Sequence, residues 1–231
     1  MNQKMKLVLL PVLILAGFSL GAYSQEVKLN LYGVYNFQDK FDSYYSSSEY
    51  YNGTLKEGFL WGGGIEKKLS PYNGIELLYL REDTHAPTTY AYSGQLVPKN
   101  ADLDVTINYV LLGFNRYVGN PHGRAMGYGG FVTGVGFGDL RNNVTNKTES
   151  YSKFTWGLRL GGEIAVSPSV AIKLQAQYYS MIQAMSGSIY VGTGGAGTGV
   201  AGYSTIGQFG LGGGLAFKFG GASSAPTQPA M

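Results

Sequence analysis

Along most of the chain, apolar and polar residues alternate with a period of two. In "VKLNLYGVYNF", Val27, Leu29, Leu31, Tyr35 and Phe37 share one face, while Lys28, Asn30 and Asn36 share the other. "FTWGLRLGGEIAV" sets Phe154, Trp156, Leu158, Leu160, Ile164 and Val166 against Thr155, Arg159 and Glu163. "VAIKLQAQYYS" sets Val170, Ile172, Leu174 and Tyr178 against Lys173, Gln175 and Gln177. Alternation sustained over roughly ten residues predicts strands, because successive side chains of a strand point to opposite faces. Eight such segments are expected, at approximately 26–41, 55–69, 74–84, 101–118, 125–140, 153–167, 170–182 and 203–219. The second sets Phe59, Trp61 and Ile65 against Glu66, and the third Ile75, Leu77 and Tyr79 against Glu76. In the fourth, Leu103, Val105, Ile107, Tyr109 and Leu111 are assigned to the apolar face, and Asp104, Thr106 and Asn108 to the polar one. In the fifth, Phe131, Val135 and Phe137 are placed outside, with Gly130, Gly134 and Gly136 inside.

The connections alternate as well. "DSYYSSSEYYNGT", "THAPTTYAYSGQLVPKN", "RNNVTNKTESYS" and "QAMSGSIYVGTGGAGTGVAGYS" are long and polar or glycine-rich, whereas "SPYNG", "GNPHGR" and "SPS" are short turns. Long connections follow strands one, three, five and seven, and short ones follow two, four and six. An up-and-down sheet whose two ends face different environments has this form. A transmembrane β-barrel supplies the asymmetry, with short periplasmic turns, longer extracellular loops and strands that are apolar outside and polar inside. A soluble eight-stranded barrel inverts that alternation. The aromatics discriminate: Tyr35, Phe37, Trp61, Tyr79, Tyr109, Phe154, Trp156, Tyr178, Phe209 and Phe219 are read on the apolar face, several near strand ends as membrane girdles require. Mid-strand Arg159 and Lys173 fall on the polar face, and the parity-breaking Lys67 and Arg81 sit at strand ends.

Composition adds three constraints. Residues 1–24 read as a cleaved signal peptide: Lys4 and Lys6, an apolar run from Leu7 to Leu20, and the exit Ala22-Tyr23-Ser24. Its removal lowers the 17 basic residues to 15 against 14 acidic ones, so nothing points to nucleic acid as a partner. There is no cysteine, which excludes disulfides, thiolate metal sites and a lipidated N-terminal cysteine. Only 13% of residues are charged and 14% are aromatic, against about 25% charged in a soluble domain.

Signal peptide, eight alternating strands and a last strand "FGLGGGLAFKF" together resemble the small outer-membrane barrels of OmpA/OmpX type in Gram-negative bacteria. The resemblance covers Glu26 to Phe219. It implies an all-β fold, an eight-stranded antiparallel up-and-down transmembrane β-barrel over 25–219, with both termini periplasmic and the long loops extracellular. It further implies that Leu215, Phe217 and the terminal aromatic Phe219 are the signal read by the barrel-assembly machinery. Residues 220–231 then form a polar periplasmic tail, a departure from barrel-only members, which usually end on the aromatic. In the closing strand, Gly210, Gly212 and Gly214 face the lumen, where they are expected to leave room for Arg159, Lys173, Gln177 and Tyr179.

Candidate chemistry is sparse. Glu66, Glu76, Asp104, Arg159, Glu163 and Lys173 are all expected in the lumen as a mixed-sign network. An eight-stranded interior is just wide enough to be filled by side chains, so these charges are expected to pair; the alternative is a narrow path for ions or small solutes. His85 in "REDTHAP", beside Asp83, is the one candidate for rim catalysis on lipid or peptide, and no "GxSxG" or "HExxH" accompanies it. "DLD" at Asp102 and Asp104 lacks the spacing of a calcium loop, and "GVGFG" and "GTGGAGTG" lack the Lys-Ser/Thr of a phosphate loop. No catalytic, cofactor or metal site is therefore assigned. The Tyr/Ser-rich loops have the composition of adaptable binding surfaces. The expectation is a non-enzymatic outer-membrane protein with a structural or surface-interaction role, a subunit of a larger envelope complex among the options. Its partners would be membrane lipid and a protein or glycan met through those loops.

Overall fold

The period-two segments satisfy their backbone groups by pairing with one another. The computed structural model describes residues 26–46, 49–91, 99–142, 147–183, 190–192, 195–197 and 204–220. The segments expected to be a signal peptide (1–24) and a polar tail (220–231, apart from Gly220) and most of the fourth long connection lie outside them. Regular structure among the described residues is entirely β: β1 (Val27–Asn36), β2 (Asp39–Ser46), β3 (Glu49–Leu55), β4 (Gly58–Ser70), β5 (Asn73–Ala91), β6 (Lys99–Val118), β7 (Ala125–Asn142), β8 (Lys147–Ala165), β9 (Val170–Gln183), β10 (Tyr190–Gly192), β11 (Gly195–Gly197) and β12 (Ser204–Phe219). No helix among them is long and apolar enough to cross a membrane, so any crossing is made by strands.

Eight antiparallel staves close in the order β1, β4, β5, β6, β7, β8, β9, β12 and back to β1. The first stave is interrupted after Asn36 and continues as β2; the second is β3 followed by β4. Both β3 and β4 pair with β5, at Gly53–Thr88 and at Phe59–Asp83. The expected first loop is therefore largely a β2–β3 hairpin, and the second and third are largely absorbed into β5–β6 and β7–β8. The short turns after β4, β6 and β8 define one end of the barrel, the turn end; the long hairpins define the loop end.

The register sets the shape. Paired neighbours lead from Val27 to Lys67, Ile75, Phe114, Phe131, Leu158, Tyr178 and Phe209. Phe209 then accepts a hydrogen bond from the Phe37 amide at 2.8 Å. One circuit thus climbs ten residues along the first stave, from Val27 to Phe37. A stagger of this kind requires strands tilted by roughly 35–45° to the barrel axis.

The residues of that circuit all point outward. Large apolar side chains such as Leu29, Leu31, Ile65, Leu158, Leu160, Leu174 and Leu211 are exposed on the outer wall, and Leu160 is 69% exposed. Water would not tolerate a continuous band of this kind, whereas hydrocarbon does. Phe37 stacks on Phe209 at 5.9 Å and Trp156 meets Tyr178 edge-on at 6.1 Å, toward the loop-end margin of the band.

Strands β5 to β8 are 18–20 residues long, about twice what the membrane requires. The turns at one end are tight, so the surplus stands beyond the band at the loop end. There the alternation reverses. On β6, Val105, Ile107, Tyr109 and Leu111 are buried inside, at 5%, 3%, 3% and 0% exposure, while Asp104, Thr106 and Asn108 line the outer face. The face assignment read from the sequence is wrong for this stretch, including Tyr109 as a girdle residue. Outside the hydrocarbon the outer wall meets water, and the soluble-barrel pattern becomes the stable one.

The glycines of β12 also have a different cause from the expected one. A Cβ on Gly212 or Gly214 would first meet the backbone carbonyls of Gly33 and Leu31 on β1, and one on Gly210 would meet Asn36. They permit the close approach that seals the β1–β12 seam, rather than clearing space for Arg159 or Lys173.

Leu158 and Leu211 lie on the outer wall, where an arginine is expected to cost about 2–4 kcal/mol near mid-membrane. The refolded protein is expected to migrate as a compact band on unheated gels and to shift on heating. Leu158→Arg and Leu211→Arg should each reduce the compact band.

Candidate functional site in the barrel lumen

The inward positions of the staves converge on a lumen with two layers. Toward the turn end it is ionic. Arg159 Nη2 on β8 donates to Glu76 Oε2 on β5 at 2.7 Å and to Asn115 Oδ1 on β6 at 2.9 Å. Glu76 also accepts from Asn30 Nδ2 at 2.6 Å, the Tyr32 hydroxyl at 2.7 Å and Asn115 Nδ2 at 3.1 Å. Glu66 on β4 accepts from the Tyr117 hydroxyl at 2.7 Å and from Lys173 Nζ at 3.4 Å. Lys28 Nζ donates to both carboxylate oxygens of Glu163, at 2.8 and 2.9 Å, and Lys218 lies 3.3 Å from the same group. Cations also face rings: Lys68 Nζ lies 3.2 Å from the Tyr117 ring centre, and Lys173 Nζ lies 5.2 Å from that of Tyr128.

Above this layer the lumen is apolar. Val34, Leu60, Leu78, Leu80, Ile107, Tyr109, Leu111, Val132, Tyr179 and Met181 pack into one buried cluster that continues to Leu55, Ala86 and Val105. Neutral polar groups climb one side of it. The Tyr128 hydroxyl donates to Gln175 at 2.6 Å, Gln175 to Gln177 at 3.0 Å and Gln177 to Asn36 at 3.4 Å. Asn36 then donates to Glu82 at 2.8 Å, and Gln208 donates to the same carboxyl at 3.2 Å. Glu82 is fully buried with amides as its hydrogen-bond donors.

Of the residues read as luminal, Glu66, Glu76, Arg159, Glu163 and Lys173 lie inside and are drawn together, each 6% exposed or less. Arg159 and Glu163, four apart on one strand, do not pair with each other; each takes a partner across the lumen. Asp104 does not belong to the set. It lies on the outer face of β6, where its carboxylate is 2.8 Å from His85 Nδ1, because β6 has left the hydrocarbon at that height. His85 consequently faces Asp104 and not Asp83, which is held by Arg81 and Thr106. The partners not singled out from the sequence are Lys28, Asn30, Tyr32, Asn115, Tyr117 and Glu82. Parity places Lys28 and Asn30 inside, but Glu82 is hidden in the consecutive charges "RED". Leu215, Phe217 and Phe219 lie on β12 opposite Leu31, Leu29 and Val27 of β1.

Removing one member of a buried ion pair strands the other charge and costs about 3–5 kcal/mol, whereas replacing both is far milder. Glu76→Gln is expected to lower stability by that amount, read from urea unfolding in lipid vesicles. The Glu76→Gln/Arg159→Met double variant should recover a substantial part of it.

Neither a protein-family model nor a curated protein sequence matches the chain. Solved structures do. Neisserial surface protein A superposes with a TM-score of 0.51 at 13% identity, over 86% of this chain and 99% of that one. The outer membrane protein OprG of Pseudomonas aeruginosa gives 0.52 at 12% identity, over 85% and 96%. Identity at this level speaks for the fold, and the outward apolar band, the closed eight-stave circuit and the filled lumen agree with it: the chain is a β-barrel with the fold of the small eight-stranded outer-membrane proteins.

Proposed function

We propose that this protein is a sealed, non-enzymatic outer-membrane barrel with a structural or surface-interaction role, its termini in the periplasm and its long hairpins outside the cell. The observation that carries the reading is the lumen. Across the barrel the ionic layer is knitted by bonds of 2.6–3.4 Å, and above it the bore is filled by the apolar cluster and by the hydrogen-bonded column of amides that ends on Glu82. An ion crossing this lumen would have to break buried pairs and then displace either the packed apolar cluster or the hydrogen-bonded amides beside it, and either step opposes passage. The staves of β5 to β8 continue as a paired wall beyond the apolar band, which supports presentation of the Tyr/Ser-rich hairpins at a distance from the lipid surface. On this reading Leu215, Phe217 and Phe219 act as the assembly signal, and a protein or glycan is met through the hairpins.

Single-channel recordings of the reconstituted protein are the direct test. No discrete openings are expected at either polarity. Reproducible openings would overturn the sealed lumen and favour the narrow-pore reading.

A further inference from the structure

The outward positions near the turn end contain two cations that the lumen does not explain. Lys67 on β4 sits on the outer wall between Ile65 and Leu69, which are 44% and 58% exposed. Arg116 on β6 sits between Phe114 and Val118, which are 48% and 60% exposed. Each cation is therefore flanked above and below by lipid-facing apolar side chains. Neither makes an ion pair among the described residues. The contrast with the loop end is direct: outward Arg81 is neutralised through two nitrogens by Asp83, at 2.8 and 2.9 Å.

Lys67 and Arg116 stand on either side of β5, level with Ile75 and Asn73 respectively, and so about 12 Å apart, roughly 10 Å across the wall and two residues along it. The turn Ser70–Asn73 lies below and between them. From it, Asn73 Oδ1 accepts a hydrogen bond from Arg116 Nη1 at 3.0 Å, and the Tyr72 ring lies 5.9 Å from the guanidinium. Arg116 thus has one donor engaged and others to spare, beside an aromatic ring at the margin of the apolar band.

We propose that Lys67 and Arg116, with Tyr72, form a binding site for the phosphate of an anionic phospholipid headgroup, one with no ammonium of its own to offset that phosphate, in the leaflet that meets the turn end. A cation flanked by lipid-facing residues keeps its stem against the acyl chains and sends its charged head toward the membrane surface. There the complementary group is a phosphate, which a guanidinium binds with paired N–H donors and an ammonium as a point charge. The tyrosine supplies the ring that prefers the headgroup level. The position on the lipid-facing wall selects the source: a soluble anion would have to enter the acyl margin, whereas a headgroup is already there.

The test uses the full folded chain in phosphatidylcholine vesicles carrying trace spin-labelled phosphatidylglycerol or phosphatidylcholine. The fraction of motionally restricted label is measured by electron paramagnetic resonance. At low salt, phosphatidylglycerol is expected to be restricted roughly two- to fourfold in preference, as two cations near a membrane surface allow after screening. Lys67→Gln/Arg116→Gln should bring the ratio to one, and Lys67→Arg/Arg116→Lys should retain it. If the double variant gives no compact unheated band, the single variants Lys67→Gln and Arg116→Gln should each lower the ratio. No preference in the unaltered protein, or an undiminished one in the folded variants, would overturn the site. Loss of the preference on adding inorganic phosphate at constant ionic strength would overturn the lipid headgroup as its ligand. None of these outcomes depends on whether the lumen conducts.

Discussion

Pairing of β12 with β1 is the constraint on which the rest of this structure depends. Within hydrocarbon each unpaired backbone N–H or C=O costs several kcal/mol, so an open sheet is not a stable solution there. The ladder from Val27–Phe219 to Asn36–Gly210 removes both edges at once. Its tightness explains why Gly212 and Gly214 face the backbone of β1 where any side chain would collide. Closure at this register fixes the ten-residue climb, the climb fixes the tilt, and tilt with eight staves fixes a narrow bore.

A narrow bore then dictates what its walls carry. Charges inside it cannot be solvated by bulk water, so each must be surrounded by the polar groups of other staves. Glu76 is the clearest case, with bonds from Arg159, Asn30, Tyr32 and Asn115 contributed by three strands besides its own. Such a cluster is a weak source of net stability, since desolvation offsets much of the attraction. Its consequence is specificity, because the bonds form in one relative register of β1, β5, β6 and β8. The apolar cluster toward the loop end contributes burial in the ordinary way and carries the wall beyond the membrane.

Two alternation rules therefore meet within single strands. On β6, Phe114 and Leu112 face outward to lipid, while Tyr109, Ile107 and Val105 face inward to the core. The change occurs around Val110-Leu111-Leu112, where both faces are apolar. On the outer wall the same transition is marked by the Tyr79–Asn108 hydrogen bond at 2.8 Å, followed by Arg81, Asp83 and His85. The long exterior wall carries the hairpins beyond the apolar band.

The amino-acid sequence by itself determined the strand periodicity, the alternation of short and long connections, and the inward placement of Glu66, Glu76, Arg159, Glu163 and Lys173. These follow from side-chain direction, a local property that each strand carries with it. It was misleading for Leu103 to Leu111, for Asp104 and for Tyr109, because alternation reports that two faces differ but not which of them meets hydrocarbon. That choice depends on where the apolar band ends, which is set by the height of each residue on a tilted, staggered wall. The tertiary structure alone decided the pairings across the lumen, the His85–Asp104 contact and the reason for the β12 glycines. Each joins residues from different staves, and their meeting is fixed by register and closure, which no single strand contains.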